Sequence, residues 1–185
     1  LAVIQNPNRW QRFVAFLDIE AHKMGLGLQQ WRANLALGEG GVGGLGLGEG
    51  REKLMYLPFA HTDFIFPMIG EELGVRATLL VIFAFVAVLI FGVLIASSAP
   101  DSFGKLLGFG IVTLIAVQAA LNIGVTTAVL PNKGLPLPFV SYGGSNLLFS
   151  LAGIGILLNI YRQGNTIKSD GSEHLFDRCR SLPRI

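Results

Sequence analysis

Three stretches of this chain carry no charged residue. Ala77–Ala96 is twenty residues long, Leu106–Leu130 twenty-five and Phe139–Ile160 twenty-two. A helix rises 1.5 Å per residue, so about 20 residues cross the ~30 Å hydrocarbon core of a bilayer. A helix buried in a water-soluble domain normally keeps one polar face, and these runs keep almost none. The whole chain is 51% hydrophobic and only 14% charged, too few charges for an aqueous surface around 185 residues. The expected fold class is therefore an all-α integral membrane protein, a polytopic helical bundle with spans at 77–96, 106–130 and 139–160. A net charge of +2 gives no basic footprint, so no nucleic acid partner is expected. The lone Cys179 excludes an internal disulfide and a cysteine metal site.

The charged residues collect at the two ends. Residues 1–4 read as the end of an earlier apolar helix, so the chain reads as the C-terminal piece of a larger membrane protein. Lys105 and the tail at 162–185, with Arg162, Lys168, Arg178, Arg180 and Arg184, fall on one side of the bilayer. The short loop at 131–138 on the other side carries only Lys133. The positive-inside rule then makes the tail cytoplasmic and the long segment 6–74 a large extracytoplasmic loop. From Gln163 onward the tail is polar and is expected to be disordered.

Within the outer segment, Trp10, Phe13, Val14, Phe16 and Leu17 share a helical face that suits either the headgroup region or packing on protein. Residues 29–37 read as a second short helix. The run GEGGVGGLGLGEG at 38–50 holds eight glycines in thirteen residues. It contains a formal G-x-G-x-x-G at Gly38, Gly40 and Gly43, but no βαβ unit surrounds it, so dinucleotide binding is rejected. Two readings stay open: a flexible or tight turn, and a backbone that closes over a ligand.

The densest chemistry follows, in REKLMYLPFAHTDFIFPMIGEEL at 51–73. Thr62 can cap a helix, placing Asp63 in its first turn, where the positive end of the helix favours a carboxylate. Such an Asp serves either as a simple cap or as a catalytic group. Glu71 and Glu72 fall on other faces of that helix and read as interfacial charge closing the loop. Pro67 can kink it. In the second span Gln118, Asn122 and Thr126 recur every four residues as a polar stripe, which suits helix–helix hydrogen bonding or a lumen. The turn PNKGLPLPFVSYGGS at 131–145 is a stiff re-entry into the last span. Ser141 and Ser145 lack the frame and base of a nucleophile.

KLMYLPFAHTDFIFPMIGEELG at 53–74, VQAALNIG at 117–124 and LPNKGLPLPFVSYGGSNLL at 130–148 together resemble the FtsW/RodA/SpoVE family, the SEDS proteins. The resemblance runs from about Trp10 to Tyr161, and Lys133 in the PNKG turn brings it nearer the division branch than the elongation branch. It implies a ten-helix fold of which this chain is the last part. It implies a peptidoglycan glycosyltransferase of the bacterial inner membrane that polymerises lipid II, works with a class B penicillin-binding protein and other divisome proteins, and sits among membrane lipids. This piece alone is expected to be inactive. The family's catalytic carboxylate falls on Asp63. Lys53, Arg51, His61 and Lys133 are the substrate-binding candidates, because the departing pyrophosphate needs positive charge from cations or a divalent metal ion. A lipid II transporter and a non-catalytic scaffold are the competing functions. Two positions depart from the family pattern: Phe59 stands where an acid follows YLP, and Pro67 stands where a small residue is common.

Overall fold

In the computed structural model, the described residues are 25, 27–50 and 62–180, with side chains through residue 165. They form four helices and, among themselves, no strand. These are α1 (Leu28–Gly40), α2 (Ile65–Ser97), α3 (Ser102–Thr126) and α4 (Gly144–Arg180). Three are long and apolar enough to cross a membrane: α2, α3 and the Gly144–Asn165 part of α4. Their outward faces are apolar, with Phe83 68%, Leu106 76% and Phe149 74% exposed. Large apolar side chains in those numbers belong against hydrocarbon or further helices, not water.

The helix ends explain where each span stops. Ser97 and Ser98 turn their hydroxyls back onto the carbonyls of Leu94 and Ile95, supplying donors to the last turn of α2. Asp101 then caps α3, accepting from the Gly104 amide at 2.9 Å. α3 ends at Thr126, four residues before the apolar run does. The amides of Val129 and Leu130 fold back onto the Gly124 carbonyl, and Ala128 adopts a positive φ of 55°. The chain stays irregular until Gly144, because three prolines in the re-entry supply no amide donor and Phe139 turns at φ 64°. At the other end, α4 continues into the region expected to be disordered, remaining helical as far as Arg180.

Small residues let the spans approach. Gly92 and Ala96 of α2 face Val112 and Gly108 of α3. A methyl added at Gly92 would lie 2.5 Å from Val112, and one at Gly108 would lie 2.8 Å from Ala96. This is the small-residue packing that membrane helices use in place of a hydrophobic driving force.

Pro67 does not kink α2. It occupies the first turn, where a missing amide leaves no helical bond unmade, and its ring is buried. The break comes instead at Gly74, with φ 76° and ψ −176°. There the Val75 amide turns away from the Glu71 carbonyl it would meet in a regular helix. The glycine-rich loop after α1 supplies the partners instead. The Leu45 amide donates to the Glu71 carbonyl at 2.9 Å and the Gly46 amide to the Glu72 carbonyl at 3.0 Å. The freed Val75 amide donates to the Gly41 carbonyl at 2.9 Å. A broken helix is tolerated at a membrane edge when a neighbouring segment satisfies the backbone in this way. Glycine is required on both sides of the joint. A Cβ at Gly40 would strike the Gly70 carbonyl, one at Gly44 the Glu72 carbonyl and one at Gly74 the Gly44 amide. Of the two readings of this loop, the tight turn describes it, and its backbone closes over α2.

Candidate active site

α2 starts at Ile65, one residue after its N-cap Phe64, whose side chain makes no cap bond. Thr62 and Asp63 therefore lie in the turn before the helix, not in its first turn. Thr62 is not the cap residue. Asp63 is half-buried, and the residues around it fix its backbone. Phe64, 2% exposed, packs with Ala33 and Ala36 of α1 and with Met68. Phe66, also 2% exposed, packs with Ala119 of α3 and Leu137 of the re-entry turn. The alternation Phe64/Phe66 thus pins the segment between two neighbours by burial of two aromatic rings.

Opposite Asp63 stands the re-entry turn. The Asp63 carboxylate lies against Gly134, so closely that a Cβ there would come within 2.5 Å of Oδ2. Among the described residues no donor holds this carboxylate. Lys133, the preceding residue, is exposed. The structure therefore brings together two of the sequence candidates, the carboxylate of Asp63 and the turn that carries Lys133. Arg51, Lys53 and His61 lie outside the described residues, as does the helix expected near residues 10–17.

The polar stripe of α3 builds this arrangement. Asn122, 2% exposed, donates from Nδ2 to the Asp63 carbonyl at 2.8 Å and also to the Leu135 carbonyl. Gln118 donates from Nε2 to the Pro136 carbonyl and to Asn146 Oδ1, both at 3.0 Å. Thr126 bonds back to the Asn122 and Ile123 carbonyls of its own helix. Of the two readings of the stripe, helix–helix bonding holds for Gln118, which reaches Asn146 of α4, but most of the stripe's bonds go to backbone carbonyls. Gln118 and Asn122 serve backbone carbonyls that the proline-rich turn cannot pair internally, and Gln118 also reaches α4 through Asn146.

Several contributors were not foreseen from the sequence. Gln30 of α1, 1% exposed, donates to the Val125 carbonyl at 3.1 Å and the Leu130 carbonyl at 2.7 Å. Asn132 donates to Gln29 Oε1 at 3.0 Å. Ser141, rejected as a nucleophile, accepts from the Leu137 amide through Oγ at 2.7 Å, and Asn146 reaches the Leu137 carbonyl at 3.3 Å. The available signal was Gln30 itself, a long polar residue on the same helical face as Ala33 and Leu37. Glu71 is a correction. It is fully buried beside Gly50 rather than an interfacial charge.

Among the described residues, no group of three or more His, Cys, Asp or Glu side chains stands close enough to hold a metal ion. A cleft of about 540 Å³ opens at the far end of the bundle, between Asp101, Phe103 and Leu107 on one side and Asn159 and Gln163 on the other. Its one carboxylate, Asp101, is committed to capping α3. Pocket volume therefore does not mark the chemistry here, and the seat of Asp63 is the better candidate.

Residues 1–166 match the family model FTSW_RODA_SPOVE, described as a cell cycle protein. A relative from Geobacter metallireducens, named "Probable peptidoglycan glycosyltransferase FtsW", is 47% identical over 152 residues, covering 82% of this chain and 40% of the relative. A protein of the same name from Trichlorobacter lovleyi is 48% identical, covering 85% and 42%. The stage V sporulation protein E of Bacillus subtilis is 42% identical, covering 86% and 44%. A chain from a solved structure described as a peptidoglycan synthase complex coordinating polymerization and crosslinking superposes with a TM-score of 0.69 at 29% identity. That match covers 85% of this chain and 42% of the other. The chain spans less than half the length of these relatives.

Proposed function

Since the chain belongs to the FtsW/RodA/SpoVE family, we propose that the full-length protein is a peptidoglycan glycosyltransferase that polymerises lipid II, and that Asp63 is its general base. The observation that carries this reading is the Asp63 carboxylate seated on the PNKG turn at one end of three membrane helices, with no described donor occupying it. A carboxylate so placed accepts the proton of a sugar hydroxyl while that oxygen bonds to the anomeric carbon of a second, lipid-linked sugar. The bond from that carbon to the pyrophosphate oxygen breaks, and undecaprenyl pyrophosphate leaves with the electron pair. Lys133 supplies positive charge beside the carboxylate's seat. Arg51, Lys53 and His61 are the further cations proposed for the pyrophosphate, with a divalent ion as the alternative. We assign the protein to the bacterial inner membrane, with 41–50 outside and Lys105 and the tail inside. A class B penicillin-binding protein is the proposed partner, and division the proposed setting. Gln118 and Asn122 are engaged with backbone carbonyls, which favours the synthase over the transporter reading.

The test is Asp63→Ala in the full-length protein, reconstituted with its partner and lipid II. Glycan polymer should fall by about 10²–10⁴-fold, the usual worth of a general base, while the partner still co-purifies. Polymer formed at the parental rate would remove Asp63 from the chemistry.

A further inference from the structure

We propose that Asn122 and Gly134 are positioning residues for the Asp63 carboxylate. Asn122 ties its backbone to the re-entry turn, and Gly134 leaves the seat that the carboxylate occupies. This rests on Asp63 being the base.

Asn122 is spatially well placed for the task. From near the C-terminal end of α3 one amide nitrogen donates to the Asp63 carbonyl and to the Leu135 carbonyl, residues 72 apart in the chain. The two neighbours of Leu135 are involved as well, since Gln118 holds the Pro136 carbonyl and the Asp63 carboxylate touches Gly134. The orientation of the Asn122 amide follows from its surroundings, because both partners are carbonyls and only the NH₂ end can serve them. Its Oδ1 is buried with no hydrogen-bond partner among the described residues. An acceptor left in that state costs stability, so global stability alone is a poor reason for an asparagine here. A tether between two backbones needs only the donor end, and the donor end is fully used.

Gly134 supplies the second half. Its φ is not in the left-handed region, and the position is exposed, so the turn does not demand glycine for its own conformation. Among the described residues, the one obstacle to a side chain is Asp63. Its Oδ2 would lie 2.5 Å from an added Cβ and its Cγ 3.6 Å away, with nothing else among the described residues within 4 Å. Alanine at 134 therefore leaves the fold intact and moves the carboxylate. A displacement of about 1 Å at a reacting group can cost 10²-fold in rate.

The experiment uses the full-length protein with its partner and lipid II, measuring kcat and KM for polymerisation. The variants are Gly134→Ala, Asn122→Leu and, as a control on the base assignment, Asp63→Asn. The expected result is an inactive Asp63→Asn, with kcat lowered about 10²-fold in Gly134→Ala and Asn122→Leu at unchanged KM. A positioning role acts on the reacting geometry, and so on kcat, whereas lost substrate contact would raise KM. Parental kcat in Gly134→Ala beside an inactive Asp63→Asn overturns the positioning role and leaves the base assignment standing. A change confined to KM overturns it as well. Parental activity in Asp63→Asn overturns the base assignment and the inference with it. If Asn122→Leu fails to fold, Gly134→Ala decides the question alone.

Discussion

Gln30 illustrates how single polar side chains hold this site together. It lies on α1, about a hundred positions from the carbonyls it serves, and is 1% exposed. α3 ends in carbonyls that its own helix cannot pair, and the following Pro131 offers no amide. Gln30→Leu keeps the volume and removes the donor. The expected loss is about 1–3 kcal/mol, the cost of removing a buried donor from the Leu130 carbonyl and from the Val125 carbonyl, which keeps the Ala128 amide, read as a lower thermal midpoint in detergent. An unchanged midpoint would mean that the α3 end does not depend on α1. At this scale the sequence offers Asp63 as the candidate base because the HTDFIF pattern resembles the family's motif. The contacts around it were not legible, because Asn122 and Gly134 meet it from far away in sequence, and a polar stripe or a glycine does not say which distant segment it will touch.

Between elements, the most informative contact is the joint of the glycine loop with α2. The Gly74 break interrupts helical pairing, and Gly41, Leu45 and Gly46 supply three hydrogen bonds there from another part of the chain. Gly44 combines a positive φ of 77° with close approach to the Glu72 carbonyl. Gly44→Ala should cost about 1–2 kcal/mol from backbone conformation alone, before the clash is counted. It should lift the loop from α2, so the amides of Leu45, Gly46 and Val75 exchange hydrogen faster in the variant. Equal exchange in variant and parent would rule out the joint as the source of their protection. The richness in glycine was plain in the sequence. That it serves as a backbone patch for a broken helix was not, because glycine composition says only that a chain can approach something, and not what.

For the molecule as a whole, the strongest expectation concerns the bilayer. If α2 crosses it, the loop at 41–50 and the start of α3 face opposite compartments. In a Cys179→Ser background, Leu47→Cys should react with an impermeant maleimide from outside, and Lys105→Cys only after the membrane is opened. Leu47 is 78% exposed and Lys105 is exposed, so neither is shielded within the described residues. Labelling of both from one side would overturn α2 as a span. The outer faces of all three spans are apolar, as a hydrocarbon environment requires.

By itself the sequence determined the class of solvent, the all-helical architecture and the family. Long charge-free runs have few alternatives to membrane helices, and ordered motifs survive in one dimension. It also singled out Asp63, because charge is scarce and each charged residue near a span stands out. The tertiary structure decided the rest: where α3 stops, that Gly74 and not Pro67 interrupts α2, that Glu71 is buried, and that the polar stripe serves a turn. The physical reason is common to all four. Each is settled by which backbone donors and acceptors find partners across the fold, and that pairing exists only once distant segments have been brought together.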